Sequence, residues 1–206
     1  MIDHKPKTLP AIILPECVLL PHCGLPLHIH EERYRAMIKD ALQSHRMMCV
    51  ATKAPDHDLT PNANEIEAIG TAGVIRACVG QSDGSSNLML QGVGRVHFDH
   101  WHLENDAPYP LADLTWIDED QSKSPRRADA LRNEVINILN DRLCQEESDA
   151  RQLLDHLQST NDPGQVADLV AYHILGDDTQ LMRSVLEATD HSDRLELVCA
   201  RLHTFH

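Results

Sequence analysis

Apolar and polar positions alternate in one way over the first two-thirds of the chain and in another over the last third. AIILPECVLL is a short apolar run interrupted by Pro15, and LPLHI (Leu25 to Ile29) is extended, with Pro26 suited to a strand start or an edge. From Glu31 the period changes. Tyr34, Met37, Ile38, Ala41 and Leu42 recur at helical spacing while Arg33, Arg35, Lys39 and Asp40 face the other way, which predicts a helix over 31–44. RMMCVAT (Arg46 to Thr52) predicts a buried strand, and the polar, two-proline stretch APDHDLTPNANEIE a surface loop. IGTAGVIRACVG and SSNLMLQGVGRVHFDHWHL then predict a hairpin turning at Asp83-Gly84, where glycine accepts positive φ without steric cost. Gly92 and Gly94 predict a bulge or bend. PYPLADLTWIDED adds a last strand, alternating at Leu111, Asp113 and Thr115.

After the linker QSKSP (Gln121 to Pro125) the pattern is helical throughout. Leu131, Val135, Ile138 and Leu139 make one stripe; Ala150, Leu153, Leu154 and Leu157 make the next, with Ser148 as its N-cap. Asp162 caps a third helix with Pro163 at its first position, where the missing N–H costs nothing. DDTQLMRSVLEA and DHSDRLELVCARLHTF complete five short amphipathic helices. The expected layout is α+β: an antiparallel, partly closed β domain with one helix over residues 8–120, then a helical subdomain over 125–206.

Composition narrows the function. In 206 residues, 42% hydrophobic but only 3% aromatic, the core must be built from Leu, Ile, Val, Ala and Met. The net charge of −14 is spread evenly: 10 basic and 17 acidic residues lie in 1–125, leaving 8 and 15 of the totals of 18 and 32 for 126–206, so each part carries −7. Phosphate-backbone binding needs clustered Lys and Arg, so nucleic acid is not expected as a partner. No apolar run is long enough to span a bilayer and the N-terminus lacks a signal-peptide core, so a cytoplasmic location without membrane is expected. The six cysteines form no CxxC pair and read as small buried thiols.

The sequence has no phosphate-binding GxxxxGK[ST], no GxSxG and no HExxH, so no catalytic residues are assigned. Fourteen histidines stand out. His28 and His30 share a strand face, as do His100 and His102, with His97 on the other face unless a bulge intervenes. Were the two strands adjacent, Cys23, His28, His30, His100 and His102 would suit zinc or nickel. Exposed strand histidines are the more economical reading, and no metal or other cofactor is assigned. The acids Glu65, Glu67 and Asp118 to Asp120 read as solvated charge.

The stretch LPxxVLLPxxxLPLHIxExRYRxMIxDAL, Leu14 to Leu42, resembles the start of the N-terminal substrate-binding domain of Lon proteases, the LON domain. Ile69-Gly70, the run Leu90-Gln91-Gly92-Val93-Gly94-Arg95, the segment PYPLADL (Pro108 to Leu114) and the tail LEATDHSDRLELVCARL match it further, over roughly residues 9 to 206. The resemblance implies a PUA-like pseudo-β-barrel followed by a helical bundle. It also implies a non-catalytic, stand-alone module that recognises protein or peptide segments, as a protease adaptor or chaperone-like factor. The partners implied are polypeptide segments or a protease or chaperone, and the oligomeric state is left open. The alternative is a small-molecule or metal-binding protein using the His-rich strands. Residues assigned to the family motif or a partner surface are Pro26, His28, His30, Arg33, Tyr34, Met37, Gly92, Arg95 and Tyr109. Two positions depart from the family pattern: His22 stands where the family has Gly, and His30 where it has Phe. Met37, Met47, Met48 and Met89 would suit a forgiving surface, although methionine there is commonly core.

Overall fold

The computed structural model describes residues 5–53, 63–104, 106–118, 123–143 and 148–204. The chain divides into two compact units, Met1–Ile117 and Asp118–His206.

The first unit runs β1 (Thr8–Pro15), β2 (Gly24–Ile29), α1 (Glu32–Gln43), β3 (Met47–Lys53), β4 (Ile69–Gly80), β5 (Ser86–His102) and β6 (Leu111–Trp116), with a short 3-10 turn at Ala63–Glu65. Its sheet order is β2-β5-β4-β3-β1-β6, and β6 also pairs with β5. Hydrogen bonding therefore runs from β5 through β4, β3, β1 and β6 and back to β5. Alternate residues point inside this circuit: Leu9, Ala11 and Ile13 of β1, Met47, Cys49 and Ala51 of β3, Val96 and Phe98 of β5, Ala112 and Leu114 of β6. The scarcity of aromatics leaves small and branched side chains to fill this core. Burial pushes the Cys49 thiol well above its ordinary range.

One expectation is corrected. The sheet is mixed, because β1 and β3 run parallel, from Ala11 opposite Cys49 to Pro15 opposite Lys53. Parallel neighbours need a long crossover, and residues 16–46, containing β2 and α1, supply it. Helix α1 packs on β1 and β3, all seven residues of β3 are buried, and Met47 to Ala51 read as a continuous apolar run before Thr52 and Lys53. The helix buries Tyr34, Met37, Ile38 and Ala41, and the Tyr34 hydroxyl accepts from the Ile13 N–H at 3.4 Å.

The hairpin turns at Gly84, with φ of 82°, and Asp83 accepts from both the backbone and the hydroxyl of Ser85. The expected bulge falls at Val93, since Ala72 faces Gly94 while Gly73 faces Gly92. Gly92 has a further reason to lack a side chain: a Cβ there would stand 2.4 Å from the Leu20 carbonyl oxygen. The segment between β1 and β2 is locked in this way, with Val18, Leu19 and Leu20 buried and the His22 N–H donating to Gly92 at 3.0 Å. His22 itself has φ of 67°. That left-handed backbone favours glycine, so His22 carries strain that a glycine there would not.

The second unit is five helices: α2 (Pro125–Leu143), α3 (Ser148–Ser159), α4 (Pro163–Ile174), α5 (Thr179–Glu187) and α6 (His191–Thr204). Aspartates start the last three. Asp162 accepts from Gly164 and Gln165, Asp178 from Leu181, and Asp190 from Ser192 and from Lys123 at 2.8 and 2.7 Å. At the other end of α3, Arg132 of α2 donates to the carbonyls of Leu157, Gln158 and Thr160, covering acceptors the helix leaves open. Arg194 of α6 is buried against Asp168 of α4 at 3.3 Å and donates to the Thr189 carbonyl. The Ser148 side chain, Cys144, residues 119–122 of the linker region and residues 54–62 of the predicted loop lie outside the described residues.

Three outcomes test this packing. Gly92→Ala should lose roughly 1–3 kcal/mol of stability because its methyl meets backbone, whereas Gly80→Ala, with nothing within 4 Å of its Cβ, should change it by less than about 0.5 kcal/mol; urea unfolding compares the two. His22→Gly should raise stability by about 0.5–1 kcal/mol, the relief of left-handed strain exceeding the extra chain entropy. The third outcome concerns acid. Hydrogen bonds from the Lys123 N–H first, then from Ser192, hold the Asp190 carboxyl below its ordinary range. Its contribution is therefore present above an unfolded pKa of about 4 and lost as pH falls through the lower folded value. Acid titration followed by far-ultraviolet circular dichroism should show a shallower loss of helix below about pH 4 in Asp190→Asn, from a lower starting stability.

Candidate functional site

Strand β2 lies at the end of the sheet order, so among the described residues one of its edges carries no strand partner. Its other edge pairs with β5, Pro26 opposite Met89 and His28 opposite Asn87. Strand β4 continues the same rows, with Ala77 opposite Met89 and Val79 opposite Asn87. Cross-strand partners project to the same side, so Pro26, His28, Asn87, Met89, Ala77 and Val79 form one face. All six are exposed. The opposite face of these strands is buried through Leu88, Leu90 and Ile75. Among the described residues, the exposed large hydrophobics are Val79, at 61%, and Met89, at 39%. Both fall on this one face, Met89 one strand and Val79 two strands in from the β2 edge.

The residues assigned from sequence separate into two groups. Pro26, His28 and His30 are exposed at the edge; His28 Nδ1 lies 2.7 Å from Asn87 Oδ1 and its ring stacks on His30 at 6.0 Å. Arg33 is half-buried, pairs with Glu31 at 2.8 Å and covers the Tyr34 ring at 4.6 Å. The others are interior. Tyr34, Met37 and Arg95 are buried, and Gly92 stands against Leu20. Tyr109 donates to Asp40 of α1 at 2.8 Å; burial and then Asp40 push its hydroxyl up to about 12. These five hold the scaffold beneath the edge. Met47 and Met48 are likewise core, and only Met89 of the four methionines noted reaches the surface. Sequence reading missed Ala77 and Val79; the signal was the run RACVG, whose apolar alternation continues beyond the point where the sheet has a core to fill.

The histidine pairs do not converge. His28 is opposite Asn87, whereas His100 sits thirteen residues farther along β5 (100 − 87), some 40 Å of strand at about 3.3 Å per residue. A bulge does intervene, at Asp99, so His97, His100 and His102 line up opposite Thr115, Asp113 and Leu111. There they belong to a closed hydrogen-bond network. Asp99 accepts from Thr115 and faces His97; Asp113 accepts from Thr8 and faces His102. Those hydroxyls, and next the histidines, hold both carboxyls below the ordinary range. Lys5, Lys7 and Trp116 border the same groove. Its polar atoms answer one another across β1, β5 and β6, so it fastens strands. No grouping of metal-ligating side chains among the described residues contains any of these histidines. Among the described residues, no helix is long and apolar enough to cross a membrane.

The family model for the ATP-dependent protease La (LON) substrate-binding domain matches residues 8–204. Relatives include Lon protease of Elusimicrobium minutum, 26% identical over 96% of this chain and 24% of that protein, and Lon protease 1 of Thermus thermophilus, 30% identical over 98% of this chain and 25% of that protein. The chain thus spans about a quarter of the length of these relatives. Among solved structures, the N-terminal domain of the Mycobacterium avium complex Lon protease shares the fold with a TM-score of 0.75 at 18% identity, covering 97% of this chain and all of that one. A Lon N-terminal domain protein from Xanthomonas campestris does so at 0.61 and 20% identity, covering 94% and 97%. With the family model matched along nearly its whole length, the chain belongs to the LON substrate-binding domain family.

Proposed function

We propose that this chain is a non-catalytic recognition module that binds extended, partly apolar polypeptide segments at the open edge of β2. The observation that carries the reading is the coincidence of that edge with Val79 and Met89 on one exposed face. An incoming segment would add main-chain hydrogen bonds along β2, and its alternate side chains would rest beside Pro26 and His28, with Met89 one strand and Val79 two strands farther in extending the same apolar face for the chain that follows. Pro26 offers no N–H, so part of the edge stays unpaired. That favours loose, sequence-tolerant binding and limits edge-to-edge aggregation. The membership in a substrate-binding family supports the same class of ligand. We read the closed strand circuit as the PUA-like pseudo-barrel and the helical unit as its companion over 125–206. A protease adaptor or chaperone-like factor acting in the cytoplasm is the role we assign.

A permanently unfolded, carboxymethylated model polypeptide with a fluorescent label is the probe. Fluorescence anisotropy should show binding by the native chain. A Val79→Asp, Met89→Asp double variant should bind at least tenfold more weakly, equivalent to about 1.4 kcal/mol. Both side chains are exposed, so circular dichroism should be unchanged. Equal binding by the double variant would remove this face from the account.

A further inference from the structure

Helix α6 presents Cys199 and His203, four residues apart and therefore on one face. Glu134 of α2 meets them there. The donor atoms of these three side chains all lie within 4.8 Å of one another, and His203 Nε2 is 3.2 Å from Glu134 Oε1. Cys199 is only 6% exposed, while Glu134 and His203 stand at 50% and 57%. The thiol thus forms the floor of the cluster and the other two groups its exposed rim. The three groups form a hydrogen-bonded triad in which burial and then Glu134 push the thiol up to about 11.

We propose that Glu134, Cys199 and His203 form a zinc site that bridges α2 and α6, with water as the fourth ligand. One thiolate, one imidazole and one carboxylate make a donor set suited to Zn2+ rather than to Mg2+ or Ca2+, which prefer all-oxygen shells. Metal–ligand bonds of about 2.0–2.3 Å place tetrahedral donors some 3.3–3.8 Å apart. The cluster reaches that spacing by turning its two exposed side chains. Binding replaces the S–H bond with an S–Zn bond and releases the thiol proton to solvent, without change of oxidation state. His203 lies in the last turn of α6, whose open carbonyls favour a cation. Bound metal would clamp the two helices, so the helical unit would gain stability with zinc concentration. The histidines of β2 and β5 take no part.

Co2+ reports this donor set by absorption. The full-length chain, purified without a histidine tag, should bind one Co2+ with the intense visible bands of a tetrahedral ion and the near-ultraviolet thiolate charge-transfer band, both erased by stoichiometric Zn2+. Cys199→Ala should lose the charge-transfer band, and the surface substitution His203→Gln should weaken Co2+ binding at least tenfold with circular dichroism unchanged. Zn2+ should raise the melting temperature of the native chain and not of either variant. Absence of the thiolate band in the native chain would overturn the site. So would its persistence in Cys199→Ala, or His203→Gln binding as tightly as the native chain.

Discussion

Strand β5 is the constraint from which the first unit follows. It is paired with β4 over Ser86–His97, and its other edge is shared, with β2 on Ser86–Gln91 and β6 on Val96–His102. A straight strand could not serve both. Bulges at Val93 and Asp99 turn it between and within the two pairings, so its second half closes the circuit while its first half extends beyond it. That division also separates structure from recognition. The closed half buries a core, and the extended half has one buried face, one exposed face and an open edge.

Glycine and backbone strain set the limits of this arrangement. Gly92 lets the Leu20 carbonyl approach β5, and His22 accepts a left-handed backbone to make the same turn. The segment from residue 16 to 23 is thereby fixed, and with it the start of β2. In the helical unit the equivalent role falls to charge. Asp190 ties the segment before α2 to the start of α6, and the buried pair of Asp168 and Arg194 ties α4 to α6. Removing either partner of such a pair strands a buried charge, which is far more costly than the pair is stabilising. This gives Asp190 and Arg194 of the tail LEATDHSDRLELVCARL a mechanical meaning.

Much of this was legible in the sequence. The helix from residue 31, the buried strand around Cys49, the Asp83-Gly84 turn, the bulge between two glycines and five C-terminal helices each have a local signal in periodicity or turn chemistry. Strand direction has no such signal: the apolar runs of β1 and β3 suit burial on both faces in parallel or antiparallel pairing alike. The site was legible in part. Pro26 and His28 fall on the exposed face, but Tyr34, Met37, Gly92, Arg95 and Tyr109, which carry much of the motif, turn inward. A motif records whatever a fold needs, and here much of that need is packing. Val79 carries no motif at all, and it became visible only when β4 was seen to outrun its core.

Hydrogen exchange followed by mass spectrometry, with and without a bound unfolded polypeptide, addresses the open edge directly. New backbone hydrogen bonds along β2 would slow exchange in Gly24–Ile29, with smaller slowing in the adjoining strands of the β4–β5 hairpin and none in the helices. Slowing confined to the helical unit, or binding that leaves the β2 amides unchanged, would contradict recognition at this edge.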